Sequence, residues 1–104
     1  MVNLDLDLLR SFTMVVDTGG FTRAAEEMHR TQSTVSAQIR KLEDIVGHRL
    51  LERDTRKVRL TAEGEFVLGR ARQLLRMNDE LLSRLLEPEL EGTVRLGTDR
   101  KSVV

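Results

Sequence analysis

The stretch Thr31-Gln32-Ser33-Thr34-Val35-Ser36-Ala37-Gln38-Ile39-Arg40-Lys41 gathers short hydrogen-bonding side chains ahead of two cations. Within it and just beyond, Val35, Ile39, Leu42 and Val46 recur at spacings of 4, 3 and 4. That is the apolar stripe of one helix, with Thr31 as its cap and Gly47 closing it. With the stripe turned inward, Ser33, Ala37, Arg40, Lys41 and Asp44 point outward. Thr34 and Ser36 flank them, and Thr31 and Gln32 sit at the helix N-terminus. Such a face can read nucleic acid. Gln can hold adenine in a bidentate pair, and Ser and Thr hydroxyls donate to or accept from several bases. Small side chains let the backbone approach, and the free N–H groups of a first turn can hold a phosphate. Arg40 and Lys41 lie further along, within reach of phosphates. A solvated helix face has the same polarity, so the meaning of this one depends on its surroundings.

Three elements must hold that face in place. Leu6, Leu9, Phe12 and Val16 recur at helical spacing and predict a first helix over roughly residues 4–18, with Asn3 or Asp5 as cap and Gly19-Gly20 at its end. Thr22 is a candidate N-cap for a short second helix from Arg23 to His29, with Ala24, Ala25 and Met28 inward. About three residues then lead into the third helix, the length of a helix-turn-helix turn. Such turns often carry a glycine, and this one, HRTQ, has none. After the third helix, HRLLERDTRKVRLT combines an apolar Leu50-Leu51 piece, a polar tip at residues 54–57 and the alternation Val58-Arg59-Leu60. It reads as a two-stranded hairpin, a wing. Its cations Arg49, Arg53, Arg56, Lys57 and Arg59 suit phosphate or minor-groove contacts. With Glu52 and Asp54 beside them they also suit a solvated tip.

Thr61 can cap a fourth helix, with Glu63 and Glu65 in its first turn favouring the helix dipole. It is expected to run to about Glu87, before Pro88. At about 1.5 Å per residue it is roughly 40 Å long, too long to pack wholly on a three-helix core of this size. Val67, Ala71, Leu74, Asn78, Leu81 and Leu85 form a heptad seam along it, broadened by Leu68, Leu75 and Leu82. The simplest partner for a protruding seam is the same helix of a second copy. Asn78 either fixes the register of that pairing or turns to water.

The 104 residues suit one domain with a modest core. The formal net charge is zero, from 17 basic and 17 acidic side chains, but residues 21–60 hold nine basic groups against six acidic. Local potential governs steering to a polyanion. Cysteine is absent, which excludes disulfides and thiolate metal sites and is compatible with the cytoplasm. The N-terminus has no signal-peptide pattern, and no apolar run approaches membrane-span length. His29 and His48 are not at a metal-binding spacing, and no phosphate loop, nucleophile elbow or H-E-x-x-H occurs. Neither a cofactor, a metal nor catalysis is expected.

The stretch FTRAAEEMHRTQSTVSAQIRKLEDIVGHRLLER, followed by LTAEG, resembles the N-terminal domain of LysR-type transcriptional regulators. The likeness runs from residue 4 to about 97. It implies a mainly α fold, a winged helix-turn-helix of three helices plus a small hairpin, followed by a long dimerisation linker helix paired antiparallel in a dimer. It implies double-stranded DNA as partner and further assembly of full-length proteins, commonly to tetramers. Thr31, Gln32, Ser33 and Ser36 at the start of the third helix are then expected to meet DNA, with Arg53 near the wing. Three positions depart from the usual pattern: Ala37 stands where many members carry Arg, Ser33 where Pro is common, and Leu51 where Phe is frequent. The expected organisation is a DNA-binding domain over 1–60, a linker helix over 61–91, and at 92–104 the start of a truncated effector domain. An inducer would act only through that missing C-terminal domain. Two other readings stay open, a helical protein-interaction module and a winged-helix regulator of another type responding to a metal or oxyanion.

Overall fold

The computed structural model describes residues 3–52 and 57–86. Four helices follow one another: α1 (Leu6–Thr18), α2 (Phe21–Met28), α3 (Gln32–Val46) and α4 (Ala62–Leu86). α1 is the hub, because it packs against each of the other three, while α4 packs against α1 alone among the helices. Their shared core holds Leu9, Phe12, Val15, Ala24, Val35, Ile39, Leu42 and Leu50. With no Trp or Tyr, branched aliphatic side chains and Phe12 fill it.

Each boundary has a local cause. Asp5 caps α1 by accepting from the Asp7 N–H at 2.9 Å. Gly19, at φ 84°, ends it in the left-handed conformation that glycine adopts cheaply. α2 starts two residues earlier than the Thr22 cap predicts. Gly20 is its N-cap, in an extended conformation with no side-chain hydrogen bond, so Thr22 falls inside the first turn. Thr31 caps α3 through the Thr34 N–H at 3.1 Å, and Gly47 closes it at φ 77°.

The turn between α2 and α3 works without glycine. His29 takes the left-handed conformation itself, at φ 57°. Its N–H and that of Arg30 bond back to carbonyls of the last turn of α2, Arg30 reaching Ala25 at 2.9 Å. The two bonds satisfy the orphan carbonyls of the helix end.

The first helix buries more than its expected stripe. Leu8, Ser11 and Val15 join Leu9 and Phe12, whereas Leu6 and Val16 are only half-buried. A helix packed from several sides buries a wider arc than one resting on a single neighbour.

Beyond α3, among the described residues, one antiparallel bridge joins Leu51 to Leu60 at the stem of the expected hairpin. The Glu52 N–H bonds the Arg59 carbonyl at 2.9 Å, and the Thr61 N–H bonds that of Leu50 at 3.0 Å. Residues 53–56, with Arg53, Arg56 and all of the expected tip but Lys57, lie outside the described residues, as do Pro88 and the segment 92–104. Glu43 secures the stem to α3. It is buried, and one carboxylate oxygen accepts from the Leu50 and Leu51 N–H groups at 2.9 and 3.3 Å. Thr61 then donates its hydroxyl to the Arg49 carbonyl and accepts from the Gly64 N–H, starting α4. Gly64 is required there, since a Cβ would stand 2.1 Å from the Leu50 carbonyl oxygen.

Candidate nucleic-acid interface

α3 presents the face its periodicity predicts. Gln32, Ser33, Thr34, Ala37, Arg40, Lys41 and Asp44 are exposed, and Ser36 is half-buried at the flank. Thr31 is exposed too, but its hydroxyl is committed. It accepts from the Thr34 backbone and donates to the Thr34 hydroxyl at 2.8 Å, with Ser33 3.2 Å away. The three hydroxyls therefore form one cluster over the N-terminus of α3. Thr31 has one proton and gives it to Thr34, so Ser33 donates in its pair with Thr31, and the hydroxyl proton left free in the cluster is that of Thr34, beside the Gln32 amide. Among the described residues Arg40 and Lys41 enter no ion pair. Arg49, Lys57 and Arg59, at the foot of the hairpin, are exposed. The result is an uncharged hydrogen-bonding tip backed by cations.

Behind this face lies a polar cluster that the sequence did not reveal. Arg30, from the turn, meets Asp7 of α1 through two parallel hydrogen bonds of 2.8 and 3.0 Å. Gln38, on α3, donates its amide to the same Asp7 at 2.8 Å and accepts from Arg30 at 3.1 Å. Ser11, fully buried on α1, donates to the Gln38 oxygen at 2.6 Å. The Arg30 hydrogen bonds hold the Asp7 carboxyl below its ordinary value, with Gln38 adding to the effect and burial opposing it. The contacts that α1 makes in this cluster span 23 to 31 residues of sequence, beyond the reach of any local pattern.

The seam expected on α4 divides in two. Ala71 is buried inside its own chain at 1% exposure, and Val67 is half-buried. The first half of α4 lies on α1, so these positions already have a neighbour, and Ala71 is no free member of a seam. Leu75, expected to broaden the seam, is likewise buried. Further along, Leu81 and Leu85 stay exposed at 58% and 72%, joined by Leu74, Met77, Leu82 and Leu86. Asn78 donates its amide to the neighbouring Asp79 at 3.2 Å. Two ion pairs tie α4 to α1, Arg10 to Asp79 at 2.7 Å and Arg72 to Asp17 at 2.8 Å. Phe66, 65% exposed, was missed in the sequence, although continuing the wheel from Leu74 back by two turns reaches it. With Leu4, Leu9, Val46, Val67 and Leu74 it lines an apolar groove beside the start of α4.

Among the described residues no helix is long and apolar enough to cross a membrane, and no group of three His, Cys, Asp or Glu is placed to hold a metal.

Comparison with known proteins agrees with this geometry. Residues 6–65 match the model of the bacterial regulatory helix-turn-helix protein, lysR family. The transcriptional regulator PecT of Dickeya dadantii is 43% identical over 97 residues, which cover 93% of this chain and 31% of that protein. DgdR of Burkholderia cepacia is 43% identical over 95 residues, 91% of this chain and 32% of that protein. The chain thus spans about a third of the length of these curated relatives. Among solved structures, the BenM DNA-binding domain bound to the catB site 1 DNA superimposes with a TM-score of 0.75 at 40% identity, covering 77% of this chain and 86% of that one. Vibrio fischeri DarR in complex with DNA gives 0.79 at 30% identity, covering 83% of this chain and 30% of that one. By the family match over more than half its length and by the shared fold, this chain belongs to the lysR family of bacterial regulatory helix-turn-helix proteins and carries that family's DNA-binding domain.

Proposed function

We propose that this chain binds an imperfect palindrome in double-stranded DNA as a homodimer, each copy laying α3 in a major groove. Gln32, Ser33, Thr34 and Ala37 meet base edges, with Thr31 and Ser36 at the margins and Arg40 and Lys41 on phosphates. The hairpin, with Arg53 and Arg56, lies on the backbone or in the minor groove. The observation that carries this reading is the exposed, uncharged hydrogen-bonding tip of α3 backed by Arg40 and Lys41, which enter no ion pair among the described residues. That solved relatives of the same fold are DNA complexes supports it.

The dimer forms through α4. Leu74, Leu81 and Leu85 supply its apolar contact, with Val67 and Asn78 at its edge, and two recognition helices then address two half-sites. Residues 1–60 form the DNA-binding domain, 61–91 the linker helix and 92–104 the start of an effector domain. The whole regulator acts in the cytoplasm, assembles beyond the dimer and takes its inducer in that further domain.

Selection from a random duplex library, with the bound pool sequenced, tests the proposal. An imperfect palindrome with half-sites in successive major grooves is the expected product. A folded, dimeric chain that enriches no sequence would refute specific reading.

A further inference from the structure

We infer that Asp7, Arg30, Gln38 and Ser11 form a positioning cluster that sets the seat of α3 on α1, and through it how well the chain tells one DNA sequence from another. The inference rests on the proposed DNA reading and adds residues that touch no DNA in it.

The hydrogen bonds interlock. Gln38 lies next to Ala37 on α3, and both ends of its amide are engaged: the oxygen accepts from Ser11 and Arg30, and the nitrogen donates to Asp7. Ser11 has one proton, and of its two neighbours the Gln38 oxygen at 2.6 Å is the stronger acceptor than the Met28 sulfur at 3.7 Å. Asp7 receives both arms of the Arg30 fork as well as the Gln38 amide. Arg30 itself is fixed at the root by its backbone bond to Ala25. Three segments are thereby pinned together: α1, the turn, and the second turn of α3.

This geometry bears on orientation more than on holding the fold together. Asp7 and Arg30 are about a third exposed, with side chains at 40% and 31%, a setting in which ion pairs add little to stability. The fork and the amide do have fixed directions, so they define an angle. The apolar stripe of α3 does not, since Val35, Ile39 and Leu42 give non-directional contacts. Base reading depends on that angle because hydrogen bonds to base edges are directional, whereas phosphate contacts by Arg40 and Lys41 tolerate small tilts.

The test compares wild type with Asp7→Asn, Gln38→Glu and the double variant, on the duplex enriched by selection and on a scrambled duplex of equal length. Each single change breaks the cluster: the first removes the carboxylate, the second sets two carboxylates face to face. The double variant moves the carboxylate from α1 to α3 and restores an amide opposite it. The expected result is a fall of about tenfold or more in the ratio of specific to non-specific affinity for each single variant, the loss of about one base contact. Non-specific affinity and its salt slope stay at the wild-type values, and the double variant recovers most of the ratio. Arg30→Lys, which keeps the charge and lacks the fork, gives a smaller fall in the same direction. If either single variant does not fold, by circular dichroism, Arg30→Lys and the double variant decide alone. Variants that discriminate as well as wild type, or lose both affinities equally, would overturn the inference while leaving the DNA reading intact. A wild-type chain with equal affinity for both duplexes would overturn the DNA reading, and this inference with it.

Discussion

Gly64 is where α4 meets the hairpin, and it offers the sharpest test of how the long helix is seated. A Cβ built there stands 2.1 Å from the Leu50 carbonyl oxygen and 3.0 Å from its carbon. Both are backbone atoms, so no side chain can swing aside. The same carbonyl accepts the Thr61 N–H, and the Leu50 N–H is held by Glu43. Gly64→Ala therefore has to push α4 away from the stem. Overpacking of this kind costs about 1–3 kcal/mol, and straining the Thr61 bond adds about 1 kcal/mol. Alanine returns about 1 kcal/mol through its better helix propensity. The net expectation is a loss of about 2 kcal/mol, which for a domain of this size lowers Tm by about 8–16 °C.

Gly69 is the control. It lies in the same helix with nothing within 4 Å of its would-be Cβ, so Gly69→Ala meets only the propensity gain. It should raise Tm by about 4–8 °C, the equivalent of about 1 kcal/mol. Thermal unfolding followed by circular dichroism measures both, at one fixed dilution because the proposed dimerisation would shift Tm with concentration. If Gly64→Ala melts at or above wild type, α4 does not approach Leu50 as described, and its exit direction from the DNA-binding domain has to be drawn again.

Other predictions concern the face, the turn, the seam and acid. Gln32→Ala should weaken binding to the selected site by about 1–3 kcal/mol and relax one base preference. An equal loss on every sequence in a competition assay would remove Gln32 from the reading face. His29→Gly relieves a side chain held at positive φ but frees the unfolded chain as well. A net change within about 1 kcal/mol in either direction is expected from these opposing terms, whereas His29→Val, branched at Cβ, should lower Tm clearly. Leu81→Asp places a charge on an exposed apolar position, so sedimentation should find monomers with an unchanged helix signal. Loss of that signal would mean Leu81 serves its own chain's fold. For acid, Asp7 and Asp79 both titrate below their ordinary value of 3.8 in the folded chain, Asp7 chiefly through Arg30 and Asp79 chiefly through Arg10. Depressed folded values mean a contribution that is complete above the ordinary value and lost as pH falls through the lowered ones. Tm should thus hold from neutrality down to about pH 4.5 and fall below it. Asp7→Asn should soften that fall, and an identical acid limb in the variant would remove Asp7 from the account.

The parts of the fold legible in the sequence are those with local causes. α3 could be drawn almost to the residue because its cap, its 4-3-4 stripe and its terminal glycine lie within one short stretch. The start of α2 could not, because Gly20 caps it through backbone conformation alone and leaves no side-chain signature. The turn carries no glycine to announce it, because His29 takes the left-handed conformation itself at a small energetic cost. The outward residues of α3 were readable from one helix wheel. The cluster that steadies them was not, because Asp7, Arg30 and Gln38 come from three segments whose meeting is a tertiary fact. Ala71 misled for a related reason. A heptad seam says that a face is apolar, and whether the chain itself or a second copy covers it depends on where α1 lies.

That dependence gives α1 a double role. One side of it carries Asp7 and Ser11, which hold the turn and α3. Another carries Arg10 and Asp17, which hold α4 through ion pairs at Asp79 and Arg72. Both pairs are exposed, a setting in which ion pairs add little to stability, so their effect is on angle more than on stability. In the proposed dimer the distance between the two recognition helices depends on the angle between α3 and α4. The helices share no direct packing, so that angle passes through α1 and through the stem that Glu43 and Gly64 secure. Arg10→Ala with Arg72→Ala should then leave the chain folded and its half-site preference unchanged, while broadening the half-site spacings it accepts in a selection with variable spacers. A spacing preference as narrow as the wild type's would show that the stem alone sets the angle, and that α1 serves α4 only as apolar support.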